Sequence, residues 1–273
     1  MNTVVALLIV ALSAIVAAAI MLLVRRRAPD GGYFNDSDRA AGVFGVLGTG
    51  FAIILGLVIL MGFEIYGTAN EAARHEAVAT HAMFNDEHVF APADQQTISG
   101  DLVCYARAVI YKEWPSMEES NSPSPVVDGW AAKLDTAVKD IKIDGPKQQM
   151  NYAAMLETAG AREDARQTRL MEAENVLPNL FWIVLFTGAI AVIVFMFFWA
   201  DSGERKRVQV LMVGGVTALI VSSLLLVSLL DSPIGQRTGK IHPTEMTHTL
   251  EMMEAQLPAD FKAPCSSTGE PTT

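Results

Sequence analysis

Hydrophobic residues are concentrated in four long runs that polar segments separate. The runs are Val4–Val24, Ala41–Phe63, Leu180–Ala200 and Val208–Leu230. Each run exceeds the roughly 20 residues that a helix needs to cross the apolar core of a bilayer. The buried helices of a water-soluble protein rarely give four uncharged runs of this length. The pattern therefore predicts four transmembrane helices.

The second run passes into a polar segment without a helix breaker. Its apolar character extends to Tyr66, and an alanine-rich sequence without proline follows as far as Phe84. Alanine has the highest helix propensity of all residues. We therefore predict one helix that begins in the membrane at Ala41 and ends in water near Phe84.

The segment between the second and third runs is predicted to be helical throughout. Apolar residues recur every three or four positions, a period that indicates amphipathic helices. We expect one helix from Asp94 to Trp114 that ends at Pro115, a second around Trp130, and a third from about Gln148 to Val176. The same spacing predicts one amphipathic helix in the tail.

These elements divide the chain into four segments. Residues 1–66 hold the first two transmembrane helices and a short basic loop, and residues 67–177 form a helical stalk domain. Residues 178–231 hold the last two transmembrane helices, and residues 232–273 form the tail. The predicted fold class is all-α: a membrane protein with four spans and a helical soluble domain between the second and third.

The short loops predict the orientation in the membrane. Three arginines follow the first run at positions 25–27, and three basic residues occupy positions 205–207. Short loops rich in lysine and arginine stay in the cytoplasm. Because the positive charge follows the first run, this run reads as a span rather than a cleaved signal peptide. We expect a bacterial inner-membrane protein whose middle segment and tail lie outside.

Charged residues at matching heights on two stalk helices are candidate ion pairs. At a rise of 1.5 Å per residue, Glu76 and Arg169 both lie about 15 Å above the membrane, and Arg74 is level with Glu172. The candidate residues for an ion path or for stalk charge pairs are Glu64, Glu71, Arg74, Glu76, Arg162, Arg166, Arg169 and Glu172. The alternative is that they form solvated faces, where an ion pair contributes at most about 1 kcal/mol.

Four small residues of the second run, Gly45, Thr49, Ala52 and Gly56, share one helix face. Small residues allow helices to approach closely in lipid. The stripe fits either ordinary helix packing or a pore-lining face.

The remaining candidate chemistry is sparse. Cys104 and Cys265 fall in segments expected outside the cytoplasm, where a disulfide and two free thiols are both open alternatives. His75, His81 and His88 lack the i, i+4 spacing of a helical metal site, so no metal is expected. No motif for catalysis or for a cofactor is present, which argues against an enzyme. The net charge of −10 argues against nucleic acid as a partner.

Five short motifs together resemble the bacterial bestrophin-like membrane family over nearly the whole chain. They are the Glu71–Glu76 stalk, Tyr105 with Glu113-Trp114-Pro115, Arg166-Gln-Thr-Arg169-Leu, Leu177-Pro178-Asn-Leu-Phe-Trp182, and Leu230-Asp231-Ser-Pro233-Ile-Gly235. The resemblance implies a homo-oligomer in the lipid bilayer that conducts anions.

In that family the second span lines the pore, so the resemblance draws attention to Phe44, Phe51 and Phe63. Bestrophins hold the middle domain in the cytoplasm, whereas the charges here place it outside. The four runs also lack a polar lining. The alternative function is therefore a non-transporting scaffold, sensor or accessory subunit of a membrane complex.

Overall fold

The computed structural model describes residues 3–173 and 177–272. The described residues form nine α-helices: α1 Thr3–Arg25, α2 Ser37–Asp86, α3 Pro92–Ala108, α4 Trp114–Ser120, α5 Pro125–Lys139, α6 Pro146–Ala173, α7 Asn179–Phe197, α8 Lys206–Leu230 and α9 Thr244–Gln256. These residues contain no β-strand, and α1, α2, α7 and α8 are long and apolar enough to cross a membrane. The predicted all-α class with four spans is confirmed.

Helix α2 covers 50 residues without interruption. It includes the whole stretch from Ala41 to Phe84 that the sequence assigns to one helix. A 3₁₀ turn, Glu87–Val89, follows it before α3 begins.

The prediction that a helix ends at Pro115 is wrong. After α3 the chain forms a π-helical segment, Val109–Glu113, and continues directly into α4. Proline lacks a backbone N–H and its ring clashes with the preceding turn, so it is tolerated only in the first turn of a helix. The wider π turn, in which the Trp114 N–H donates to the Val109 carbonyl, places Pro115 in such a first turn.

Helix α6 begins at Pro146, two residues before the predicted start. Proline suits a first helical position because its fixed φ matches the helix. The predicted end at Val176 lies outside the described residues.

The chain divides into two compact units. The span unit comprises Met1–Glu64, Val176–Asp231 and Arg237–Gly239, and the stalk unit comprises Ile65–Asn175, Ser232–Gln236 and Lys240–Thr273.

In the span unit, helix packing depends on close fits between small and large apolar residues. Phe51 of α2 is buried against α7, where a Cβ atom added at Gly188 would lie 2.5 Å from the Phe51 ring. Asp231 accepts hydrogen bonds from the backbone N–H of Leu177 and from the indole N–H of Trp182, at 2.8 and 3.2 Å. Since a buried donor needs a partner, the second contact lets an indole pack among apolar helices.

The stalk unit contains a larger core, built from α3, α5, α6, α9 and the stalk part of α2. Trp114 and Trp130 are almost fully buried in it. Each indole N–H donates to a backbone carbonyl, of Ile241 and Gly269 respectively. The tail therefore forms part of this core.

Candidate functional site

A cluster of charged side chains lies inside the stalk unit, with Arg169 of α6 at its centre. Arg169 is completely buried. Its Nε donates to Glu76 Oε2 at 2.6 Å and its Nη2 to Glu76 Oε1 at 3.0 Å. The same Nη2 donates to Glu113 Oε2 at 2.6 Å, and the guanidinium lies 4.6 Å from the centre of the Trp114 ring. One cation thus binds two carboxylates and stacks on an aromatic ring.

Glu113 also binds a second arginine. Its Oε1 accepts from Arg166 Nη2 at 2.6 Å and from the backbone N–H of Ser124 at 3.4 Å. Arg166 Nη2 donates to Asp128 of α5 as well, at 2.6 Å. The contacts of Glu113 therefore connect α6 with the segment that joins α4 to α5.

Tyr105 and Arg162 complete the cluster. The Tyr105 hydroxyl donates to Glu76 Oε1 at 2.6 Å. The Arg162 guanidinium lies 4.6 Å from the centre of the Tyr105 ring and donates from Nη2 to Glu163 at 3.3 Å. Its Nε and Nη1 are buried and have no hydrogen-bond partner within the described part of the chain.

Helical geometry explains why these side chains meet. Arg162, Arg166 and Arg169 follow one another at steps of four and three, so they share one face of α6. Glu76 lies on the buried face of α2. Glu113 is the last residue of the π-helical segment. Such segments are frequent at functional sites. This one brings the carboxylate of Glu113 into the cluster.

The electrostatics of the cluster favour ionised pairs. Burial alone would raise the pKa of Glu113, but the charges and hydrogen bonds of Arg169 and Arg166 outweigh it and hold that pKa below its ordinary value. Burial alone would lower the pKa of Arg169, but the charges of Glu76 and Glu113 raise it by more. The net effect is a raised pKa, so Arg169 stays charged. Burial, followed by the negative charge of Glu76, raises the pKa of Tyr105 well above 10. The hydroxyl therefore keeps its proton and remains a donor.

These contacts determine what the cluster can do. Arg166 and Arg169 each bind carboxylates at 2.6 Å, so neither presents unpaired charge to a passing ion. A buried ion pair with several charge-assisted hydrogen bonds can offset the cost of removing its charges from water. The cluster therefore suits positioning of α2, α6 and the π-helical segment better than ion transit. Arg162, with two unused donors, is the exception.

The other sequence candidates lie outside the cluster. Glu64 is exposed at the end of the span unit, and Glu71 is exposed and lies 3.7 Å from His75. Arg74 is exposed, Glu172 is half-buried, and no ion pair joins them among the residues that the structure describes. Their equal heights do not bring them together.

Glu113 and Asp128 were missing from the sequence candidates. The sequence links Glu113 only to a family motif. Counting helical rise from the membrane applies to the two stalk helices, and Glu113 lies on neither of them. The available signal was its place next to Trp114-Pro115: a carboxylate beside a large buried aromatic residue needs a cationic partner.

The three phenylalanines of α2 differ in their surroundings. Phe44 is half-buried and stacks on Phe195 with ring centres 5.4 Å apart, and Phe51 is buried against α7. Phe63 is 54% exposed. Gly45 and Gly56 are exposed, and among the described residues an added Cβ at either one would meet no atom within 4 Å.

Cys104 and Cys265 form a disulfide across a separation of 161 residues. Arg107 binds next to it, with its Nη2 2.7 Å from Glu254 of α9. The bond joins α3 to the tail and decides between the two alternatives that the sequence left open.

Comparison with known proteins identifies the fold. A family model described as a bestrophin-like domain matches residues 11–235. A bacterial bestrophin homologue from Klebsiella pneumoniae, solved by zinc phasing, superposes with a TM-score of 0.65 at 14% identity, covering 94% of this chain and 100% of that one. A single-residue variant of the Klebsiella homologue gives 0.66 at 13% identity, covering 93% and 99%.

The curated proteins give no match. At 13–14% identity the structural likeness shows the fold, while the family model covers most of the sequence. The chain therefore belongs to the bestrophin-like family.

Proposed function

We propose that this protein is a homo-oligomeric anion channel whose pore is lined by the span part of α2. The observation that carries the proposal is an exposed face of small residues on this helix. One side of α2 packs through Phe51, Leu55 and Val58, whereas the opposite side exposes Gly45 and Gly56. Helices of neighbouring copies, arranged around an axis, would face one another across this small-residue surface. Family membership supports the same arrangement.

Phe63 is the side chain in α2 best placed to narrow such a pore. Of the three phenylalanines that the resemblance highlights, it alone is mostly exposed. Its ring has room to project from the small-residue face, while Phe51 is held in the subunit core. We propose that Phe63 contributes to an apolar constriction, which limits flow because water and ions leave narrow apolar passages readily.

Purified full-length protein in planar bilayers tests the proposal. We expect chloride currents from the wild type and a larger unitary conductance for Phe63→Ala, because the ring would no longer narrow the pore. Phe186→Ala is the matched control: Phe186 of α7 is 51% exposed, and its removal should leave conductance unchanged. Absence of current in reconstituted protein of verified fold, or equal effects of the two substitutions, would contradict the pore assignment.

A non-transporting scaffold is the alternative function. The observation in its favour is that Thr49 is the only residue with a polar side chain between Gly42 and Phe63. Stable co-purification with another membrane protein, together with silent bilayers, would support the scaffold.

We also propose that the stalk unit lies outside the cytoplasm of a bacterial inner membrane. Two observations support this orientation: basic residues in both short loops, and a disulfide in the stalk unit, since disulfides persist in oxidising compartments. In intact cells, an impermeant maleimide should label a Glu251→Cys variant, because Glu251 is exposed on the stalk unit whereas Cys104 and Cys265 are buried. Labelling that requires permeabilised cells would place the unit in the cytoplasm.

A further inference from the structure

A second polar site in the stalk unit surrounds a cavity of 520 Å³ between the end of α2, the start of α3 and the segment after α9. Glu87 lies in its wall and is 1% exposed. One carboxylate oxygen accepts a hydrogen bond from the Ser99 hydroxyl. The other, Oε2, is buried and has no partner among the described residues. A buried oxygen without a partner costs about 1–3 kcal/mol, which a ligand that hydrogen-bonds to Oε2 would recover.

Several other polar groups of the wall offer acceptor atoms. Gln95 uses its side-chain nitrogen to bind two backbone carbonyl groups of the preceding segment, at 3.2 and 2.9 Å. Gln256 uses its own nitrogen in the same way, at 3.2 Å. Gln95 therefore retains only its carbonyl oxygen for a ligand, Gln256 retains its carbonyl oxygen and one N–H, and Asp260 adds a carboxylate.

Aromatic side chains form another part of the wall. Phe84, Phe261 and His88 line the cavity, and the His88 ring packs edge-on against Phe84. The face of an aromatic ring attracts cations. No group of three or more metal-ligating side chains occurs in the described ranges, which argues against a metal ion. Acceptor oxygens and aromatic faces together match the chemistry of a nitrogen cation.

We propose that this cavity binds a small organic ammonium ion, with the Glu87 carboxylate as its counter-charge. The ammonium N–H groups donate to Glu87 Oε2 and to the glutamine oxygens, and the carbon atoms pack against the rings. Lys262 is the one cationic residue in the described wall, and it is exposed. Its charge opposes the ligand weakly from the rim.

Binding is coupled to a proton. Burial raises the pKa of Glu87 to about 8, against the smaller opposing effect of the Ser99 hydrogen bond. Without a ligand, the Glu87 carboxyl is therefore mostly protonated at neutral pH. When the ammonium ion binds, Glu87 releases this proton to solvent and the carboxylate–ammonium pair forms. The other titratable groups of the wall are His88, Asp260 and Lys262.

Calorimetry with full-length protein in nanodiscs and ethylammonium chloride tests the proposal, with sodium chloride at equal ionic strength as the reference. We expect saturable binding of ethylammonium. Because the released proton is taken up by the buffer, the measured heat of binding should differ between buffers of different ionisation enthalpy. Apparent affinity should rise about tenfold per pH unit up to a pH of about 8 and level off above it. A flat pH profile, or heats equal to those of sodium chloride, would overturn the proposal.

Substitutions separate the site from general surface charge. Glu87→Gln should abolish binding, and Lys262→Gln should strengthen it because a like charge is removed. Glu251→Gln is the matched control, since Glu251 is exposed on α9 outside the cavity and should leave binding unchanged. Equal binding by Glu87→Gln and the wild type would refute the site. If Glu87→Gln did not fold, the pH profile of the wild type would decide alone.

Discussion

In the stalk unit, Arg169 is completely buried between two carboxylates, whereas in the described span unit the buried polar side chains are Gln209 and Thr217. The difference follows from the surroundings of the two units, which are lipid for the spans and water for the stalk unit. A charge inside a bilayer is costly wherever it lies, so the spans pack by fitting small residues against large ones. In the stalk unit, buried charges are compatible with folding because several charge-assisted hydrogen bonds satisfy them.

Breaking the stalk cluster should have the largest effect on stability. Arg169→Met leaves Glu76 and Glu113 buried without their shared cation. We expect destabilisation of about 3–5 kcal/mol, measured as a lower thermal or chemical unfolding midpoint of the purified protein. Adding Glu76→Gln and Glu113→Gln to this variant should recover part of the loss. Arg74→Met, on the exposed face of α2, is the control and should change little.

Acid should weaken the same cluster. The pKa of Glu113 is lower in the folded protein than its ordinary value of 4.5, so its contribution to stability is complete above that value and is lost as pH falls through the folded pKa. Melting curves should therefore show the stability advantage of the wild type over Glu113→Gln narrowing below pH 4.5. A constant difference would mean that the ionisation of Glu113 does not contribute.

The disulfide between Cys104 and Cys265 should contribute less than the charge cluster. Its removal by Cys104→Ser with Cys265→Ser frees a long loop in the unfolded chain, and we expect a loss of about 2–4 kcal/mol. Melting with and without a reductant measures it. The reductant should destabilise the wild type alone; an equal effect on the double variant would show that it acts elsewhere.

The stability of the span unit should depend on side-chain volume rather than on side-chain charge. Gly188→Ala forces a methyl group against the Phe51 ring, and we expect destabilisation of about 1–3 kcal/mol in detergent. Gly215→Ala is the control on α8, because an added Cβ there meets no atom within 4 Å. Similar melting temperatures for the two variants would show that the Phe51 contact is not restrictive.

Much of the architecture of both units follows from the sequence alone. Run length gives the four spans, because crossing a bilayer demands a fixed length of apolar helix. Counting the helical rise puts Glu76 and Arg169 at one height, and they are in contact. Height does not give direction around the helix axis: Arg74 is two residues from Glu76, about 200° around the helix, and therefore points to solvent.

Other features depend on information that local patterns do not carry. The π-helical segment depends on how the chain accommodates Pro115, and it determines where Glu113 lies. The partner of Cys104 is 161 residues away, and spacing gives no distance between such positions. The Glu87 cavity combines residues from three separate segments, so only the folded chain shows that Glu87 Oε2 is buried there without a partner.

The disulfide also constrains how the last two membrane helices insert. Two cysteines can be joined only if both reach the same side of the membrane, so an even number of crossings must separate them. Helices α7 and α8 both lie between Cys104 and Cys265. A chain in which one of these helices failed to insert would keep its thiols in different compartments. The bond therefore excludes a chain in which only one of these two helices has crossed.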